Sequence, residues 1–202
     1  MALVKHNNNS LTNLTALPSA VPTGKMTLLS TATASSSASL SFDSTYINSD
    51  YLIYKFEFIN MHPANDGSIF QFNISTDNGS NYNVAKTTTY FRSIHNEIGN
   101  TALLGYEANH LAQGTGYQPI MNNIGNANDE SCSGSMFLFN PSSTTFVKHF
   151  IARTQSYQSA EFSFDIHMAG YGNTTSAVNA IIFAQNSGNI DAGQIKLYGL
   201  AN

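Results

Sequence analysis

Residues 50–60 read DYLIYKFEFIN. Leu52, Tyr54, Phe56 and Phe58 fall on alternate positions, with Lys55 and Glu57 between them. A period of two sends successive side chains to opposite faces, so the stretch predicts a strand with an aromatic inner side and a charged outer side. Residues 67–75, GSIFQFNIS, repeat the pattern with Phe70, Phe72 and Ile74. Residues 75–83, STDNGSNYN, then supply Asp77-Asn78-Gly79, a strong tight-turn signal between strands.

The same reading extends in both directions. Residues 25–42 give two short strands, the second small and rich in serine. Residues 83–95, NVAKTTTYFRSIH, carry the β-branched and aromatic side chains that suit a pleated surface. Strands resume at 131–140 (SCSGSMFLFN), at 144–153 (TTFVKHFIAR) and at 160–170, where Phe162, Phe164, Ile166 and Met168 share a side. AVNAIIFAQ (177–185) and GQIKLYGL (193–200) close the chain, joined by a loop, NSGNIDAG. Residues 96–129 break the rhythm. They are rich in Gly, Asn and Ala, and they predict a long excursion with a partial strand. A short helix over 101–113 is the alternative, weakened by Gly105. Regular short strands with polar turns predict an all-β, jelly-roll-like antiparallel β-sandwich of about eight to ten strands.

Residues 1–25 differ from the rest of the chain. Their leucines lack a clean period, Pro18 and Pro22 interrupt them, and an extended N-terminal arm is expected ahead of a single sandwich domain at 26–202, with a disordered leader as the alternative. Leu3, Val4, Leu11, Leu14, Leu17 and Val21 are the candidate assembly contacts, since exposed apolar side chains are relieved by a neighbouring subunit. Tyr106, His110 and Tyr117 are the candidate exposed contact loop.

Composition narrows the function. Of the 202 residues 42% are hydrophobic, so a packed core is expected, yet only 10% are charged, against about 25% in ordinary soluble domains. A surface of short uncharged polar groups suits a protein packed among neighbours. The eight Lys and Arg are scattered singly, and nucleic-acid binding requires clustered cations, so that role is excluded. No stretch approaches the ~20 apolar residues of a membrane helix, and MALVKHNNNS lacks a signal-peptide h-region, so assembly in a cytoplasm without export is expected. Cys132 is the one cysteine; a disulfide framework is excluded, and its strand setting predicts a buried, inert thiol.

Catalytic constellations are missing from the pattern. No two of His6, His62, His95, His110, His149 and His167 stand at HxH or HxxxH spacing, so no metal or other cofactor is expected. Asp129 and Glu130 are adjacent and would diverge in an extended segment, which does not suit the carboxylate pair of a glycosidase. Asp66, Asp77 and Asp191 flank glycine turns. No catalytic residue is assigned, and the chain is read as a non-enzyme.

Three segments together resemble a known family: residues 54–95, residues 141–157 and residues 170–200. FINMHPAND at 58–66, STDNGSNYN at 75–83 and SGNIDAGQIKLYGL at 187–200 are its most particular pieces. They are similar to jelly-roll virion structural proteins of tailed phages that infect marine bacteria and cyanobacteria. The resemblance implies a β-sandwich displayed on the virion, assembled in the host cytoplasm and commonly a symmetric oligomer. It brings no catalytic residues. A capsid decoration or cement protein is the leading expectation, its partners the major capsid protein and its own copies in a homotrimer. The alternative is a tail- or head-fibre adhesin, with a host surface glycan as ligand and turn tyrosines such as Tyr82 and Tyr117 in the contact surface.

Overall fold

Alternating aromatic strands cannot bury their apolar side alone; two layers face each other to do so. The structure, a computed structural model, describes residues 26–158 and 160–200. Its strands are antiparallel throughout. In spatial order the larger layer is β1 (Met26–Thr33), β12 (Ile190–Leu200), β3 (Ile53–Pro63), β8 (Cys132–Phe139), β9 (Lys148–Gln158), β10 (Phe162–Gly172), β5 (Lys86–Asn96) and β6 (Ala102–Tyr106). The smaller layer is β7 (Gln118–Ile124), β4 (Ser68–Ser75), β11 (Ala180–Gln185) and β2 (Leu40–Phe42). One bridge, Ile124 with Gln158, joins them into a nearly closed sheet.

The core lies between the layers. Phe183 on β11 stands at its centre, within ring contact of Phe42, Phe56, Phe58, Phe70 and Phe72. Its centroid is 5.2 Å from that of Phe56 and 5.3 Å from that of Phe58, both on the opposite layer. Phe72 and Phe150 make a second edge-to-face bridge between layers at 5.2 Å. Such tilted pairs add about 0.5–1.5 kcal/mol each beyond the apolar area they bury.

The fold is the all-β sandwich expected, with twelve strands in the described residues instead of eight to ten. Part of the surplus comes from residues 96–129. The expected excursion holds two strands, β6 and β7, and no helix: Leu103, Leu104 and Tyr106 belong to an extended ribbon paired with β5. The loop expected at 186–193 is shorter, because β12 starts at Ile190 and takes up its second half. Register shifts opposite Asn60 absorb this early start. Gly193 sits there at φ +118°, where a Cβ would come 2.6 Å from the Asn60 carbonyl oxygen, so only glycine fits the bulge.

Two further expectations change. Leu52 does not join Tyr54, Phe56 and Phe58 inside; it is 47% exposed. The strand begins one residue later, and the ring of Tyr51 packs inward over Gly199 instead, where a Cβ would lie 2.5 Å from the ring. The Asp77-Asn78-Gly79 turn forms, with Asn78 and Gly79 both at positive φ. It joins no hairpin, however: β4 before it lies in the small layer and β5 after it in the large one. Leu3, Val4, Leu11, Leu14, Leu17 and Val21, with the rest of the arm, lie outside the described residues.

Candidate functional site on the outer sheet face

The inner side of the large layer is consumed by the core, which leaves its outer side free of it. Alternation fixes who stands there. On β9, Phe150, Ala152 and Thr154 point inward and are buried, while His149, Ile151 and Arg153 point outward. Asp165, His167, Ala169 and Tyr171 are their counterparts on β10. The pairing registers carry one outward row from Leu28 through Tyr198, Lys55, Phe137 and Ile151 to Ala169. The next row runs from Glu57 through Ser135, Arg153 and His167 to Phe91 and Tyr106.

The first row is largely apolar for a face turned to water, and the second passes from charged and polar residues to Phe91 and Tyr106. Leu28, Phe91, Ile151 and Tyr106 are 40–61% exposed. Small residues at Ser135 and Ala169, between bulky ones, leave a groove of about 300 Å³. Phe137, Ile151 and Ala169 line it. Phe91 and His167 line it too, stacked with their rings 4.9 Å apart and within 6° of parallel.

The charges beside the groove are paired with one another. Lys55 Nζ donates to Glu57 Oε1 at 2.7 Å, and this bond holds the Glu57 carboxyl below its ordinary range. Arg153 donates through Nε and Nη2 to the two oxygens of Asp165, each at 3.0 Å. That bidentate bond lowers the Asp165 carboxyl and raises the Arg153 guanidinium. His167 Nε2 stands 3.3 Å from Asp165 Oδ2. A carboxylate already tied to a cation is a poor general base, and no hydroxyl or thiol nucleophile of the groove is bonded to an imidazole. The chemistry the arrangement offers is apolar contact framed by paired charge.

A second, polar hollow of about 460 Å³ includes Asn60, His62, Asp129, Glu130 and Asp191. Most of its functional groups fasten turns. Glu130 is buried, and its Oε2 accepts from the Ala127 N–H at 2.7 Å. His62 Nε2 bonds the Ala127 carbonyl at 3.1 Å, and Asp191 accepts from the Ser36 hydroxyl at 2.9 Å. Among the described residues no group of three His, Cys, Asp or Glu side chains is placed to hold a metal ion.

The loop residues singled out from sequence separate. Tyr106 is exposed on β6 with its ring 5.2 Å from that of exposed His110. Tyr117 is half-buried in the segment that Asn73 ties to Tyr82, donating from Nδ2 to the carbonyls of Tyr82 and Thr115. Phe91, Phe137, Ile151 and the Arg153–Asp165 pair went unnoticed in sequence. A signal existed: in SMFLFN (135–140) both halves of the alternation are apolar, as in a strand covered on both faces.

The inner side holds one more polar feature. Lys86 and Lys148 are fully buried and flank Gly172 in register. Lys86 Nζ donates to Asn73 Oδ1 at 2.6 Å and to the Val84 carbonyl at 2.9 Å, and Lys148 Nζ to the Phe146 carbonyl at 2.6 Å. Neither meets a carboxylate among the described residues. Burial pulls the Lys86 ammonium down to about 8. Comparison with family models, with curated proteins and with solved structures finds no match to this chain.

Proposed function

We propose that this chain is a non-enzymatic structural protein of a tailed-phage virion, a decoration or cement protein that clamps neighbouring major capsid subunits. The resemblance of residues 54–95, 141–157 and 170–200 to phage virion proteins gives the setting. One observation carries the mechanical reading: an apolar outer face, from Leu28 through Phe137 and Ile151 to Phe91, whose charges beside the groove are already paired with each other. A stiff two-layer body with such a face gains little from a small charged ligand and much from a large apolar partner. Its own copies, in a homotrimer, and the shell beneath are the partners proposed. Many weak contacts repeated over a shell add to a strong clamp.

The test is attachment to heads that lack the protein. Wild-type chain should bind them saturably and raise the temperature at which they release DNA. Ile151→Asp, which puts an unpaired carboxylate in the middle of the face, should fold normally and fail to attach. Equal attachment by Ile151→Asp would remove the face from the mechanism. A wild-type chain that ignores heads but binds host surface glycan would replace the cement reading with the adhesin one.

A further inference from the structure

A sheet edge presents unpaired N–H and C=O groups, and folded proteins blunt such edges with short strands, proline, bulges or charge. Three of the end strands here carry such a device. β2 has three residues. β7 contains Pro119, which has no N–H, and its end is closed by the bridge from Ile124 to β9. β1 is broken by a register shift between Leu28 and Ser30. β6 has none of these. Its five residues, Ala-Leu-Leu-Gly-Tyr, contain no charge and no proline, its register is unbroken, and among the described strands it pairs with β5 alone. Leu103, Leu104 and Tyr106 are 49%, 74% and 61% exposed, and Ile98, in the turn before the strand, is 76% exposed.

The direction of the free groups follows from the ladder. Asn96 N–H donates to the Thr101 carbonyl and Glu107 N–H to the Tyr90 carbonyl, so residues 101, 103, 105 and 107 face β5. Alternation then turns the N–H and C=O of Ala102, Leu104 and Tyr106 to the open side. Two such strands in antiparallel array satisfy all three residues in a single register, centred on Leu104. Leu104 then meets Leu104 of the second copy, and Ala102 meets Tyr106, each hydrogen-bonded pair exchanging two bonds. On the other face Leu103 falls opposite Gly105. Large side chains meet small ones at every off-centre position.

We propose that β6 pairs antiparallel with β6 of a second copy about a two-fold axis at Leu104, joining two eight-stranded layers into one continuous sheet. The contact is isologous, so it links one ring of copies to the next and does not build the ring itself. A five-residue strand buries less than the ~800 Å² per partner of stable complexes, so the pairing dissociates at roughly micromolar concentration in solution and is completed by density on a surface. It stands independently of where the protein resides.

Sedimentation velocity on the full chain, from about 1 to 200 µM, brackets that dissociation range. The wild-type mass should double as concentration rises. Leu104→Lys sets like charges opposite each other at the axis and should weaken doubling at least ~10-fold. Phe146→Lys, replacing a similarly exposed apolar residue outside β6, should leave doubling unchanged. Leu104→Cys should cross-link to itself on mild oxidation, its Cα atoms facing each other about 5.5 Å apart, inside the reach of a disulfide. Ala102→Cys, about 14 Å from its own copy by strand rise, should not. Native Cys132 is buried and does not compete. A mass that never changes, doubling indifferent to Leu104→Lys, or equal cross-linking at 102 and 104 would each overturn the pairing. Head attachment is read separately through Ile151, so the two proposals fail by different measurements.

Discussion

The two faces of the large layer are made by the same strands and meet opposite fates. On β9 the inward Phe150 is fully buried against Phe72, while its neighbour Ile151 is 47% exposed beside Phe137. Both are large and apolar, and both follow from one alternating sequence. Hydrophobicity alone therefore does not decide where a side chain ends up: on one face it holds the fold together, and on the other it is left in water. The same division applies to charge. Lys86 lies inside with no carboxylate partner among the described residues, and Arg153 lies outside with Asp165 in a bidentate bond.

The largest effect expected from this contrast lies in the apolar pair. Phe150→Ala should lower the free energy of unfolding by about 3–5 kcal/mol, through lost burial and the cavity left beneath Phe72. Ile151→Ala should change it by less than about 1 kcal/mol, because half the side chain is already in water. Urea denaturation of both variants decides it. Equal losses would mean that the outer face is part of the core, and the binding reading of that face would fall with it.

The second effect compares the charges. A lysine whose folded pKa is about 8, against 10.5 unfolded, destabilises the fold fully below pH 8. That burden is relieved as pH rises from 8 towards 10.5, so stability increases with pH in this window. Buried Cys132 and Tyr90 act oppositely, since burial raises both and their unfolded forms ionise first. Subtracting Lys86→Met from wild type cancels them. The difference in unfolding free energy should move in favour of wild type by about 2 kcal/mol between pH 7 and 9.5. At pH 7 Lys86→Met should be as stable as wild type or more so, because Asn73 Oδ1 keeps the Ile74 N–H at 2.9 Å. A flat difference across this range would show that Lys86 is solvated after all.

How far the sequence carried this contrast depends on the residue. Tyr54, Phe56, Phe58, Phe70, Phe72 and Ile74 were legible because they fall on alternate positions with Lys55, Glu57, Gln71 and Asn73 between them, and all are buried. Leu52 was misread because it lies just before the strand, where the turn and not the alternation sets its direction. β6 was hidden because TALLGY is apolar on both sides, and a strand at an open edge has no inner face to impose a period. Lys86 could not be foreseen, since its burial depends on Asn73, a partner that only the third dimension supplies. The outer face was half visible in SMFLFN, but which strands stand beside it is set by pairings between β8, β9, β10 and β5 that cross long stretches of chain.

The smallest effect belongs to the outward ion pair, and it sharpens the comparison because its chemistry is the strongest available on paper. Arg153 and Asp165 share a fork of two 3.0 Å bonds, yet the Arg153 side chain is 69% exposed. In water such a bond replaces hydration of similar strength, and salt screens what remains. Asp165→Asn should therefore shift the melting temperature at pH 7 by no more than about 2 °C. The Asp165 carboxyl is held below its ordinary range by Arg153, so its contribution is complete above the unfolded value and fades as pH falls through the folded one. Wild type and Asp165→Asn should accordingly converge in acid, once the pH has fallen through the lowered folded value. A large loss at neutral pH would place the pair inside a partly closed environment and make the outer face structural. A small one leaves Arg153 and Asp165 as mutually neutralised charges at the rim of an apolar groove, which add little to the stability of the fold.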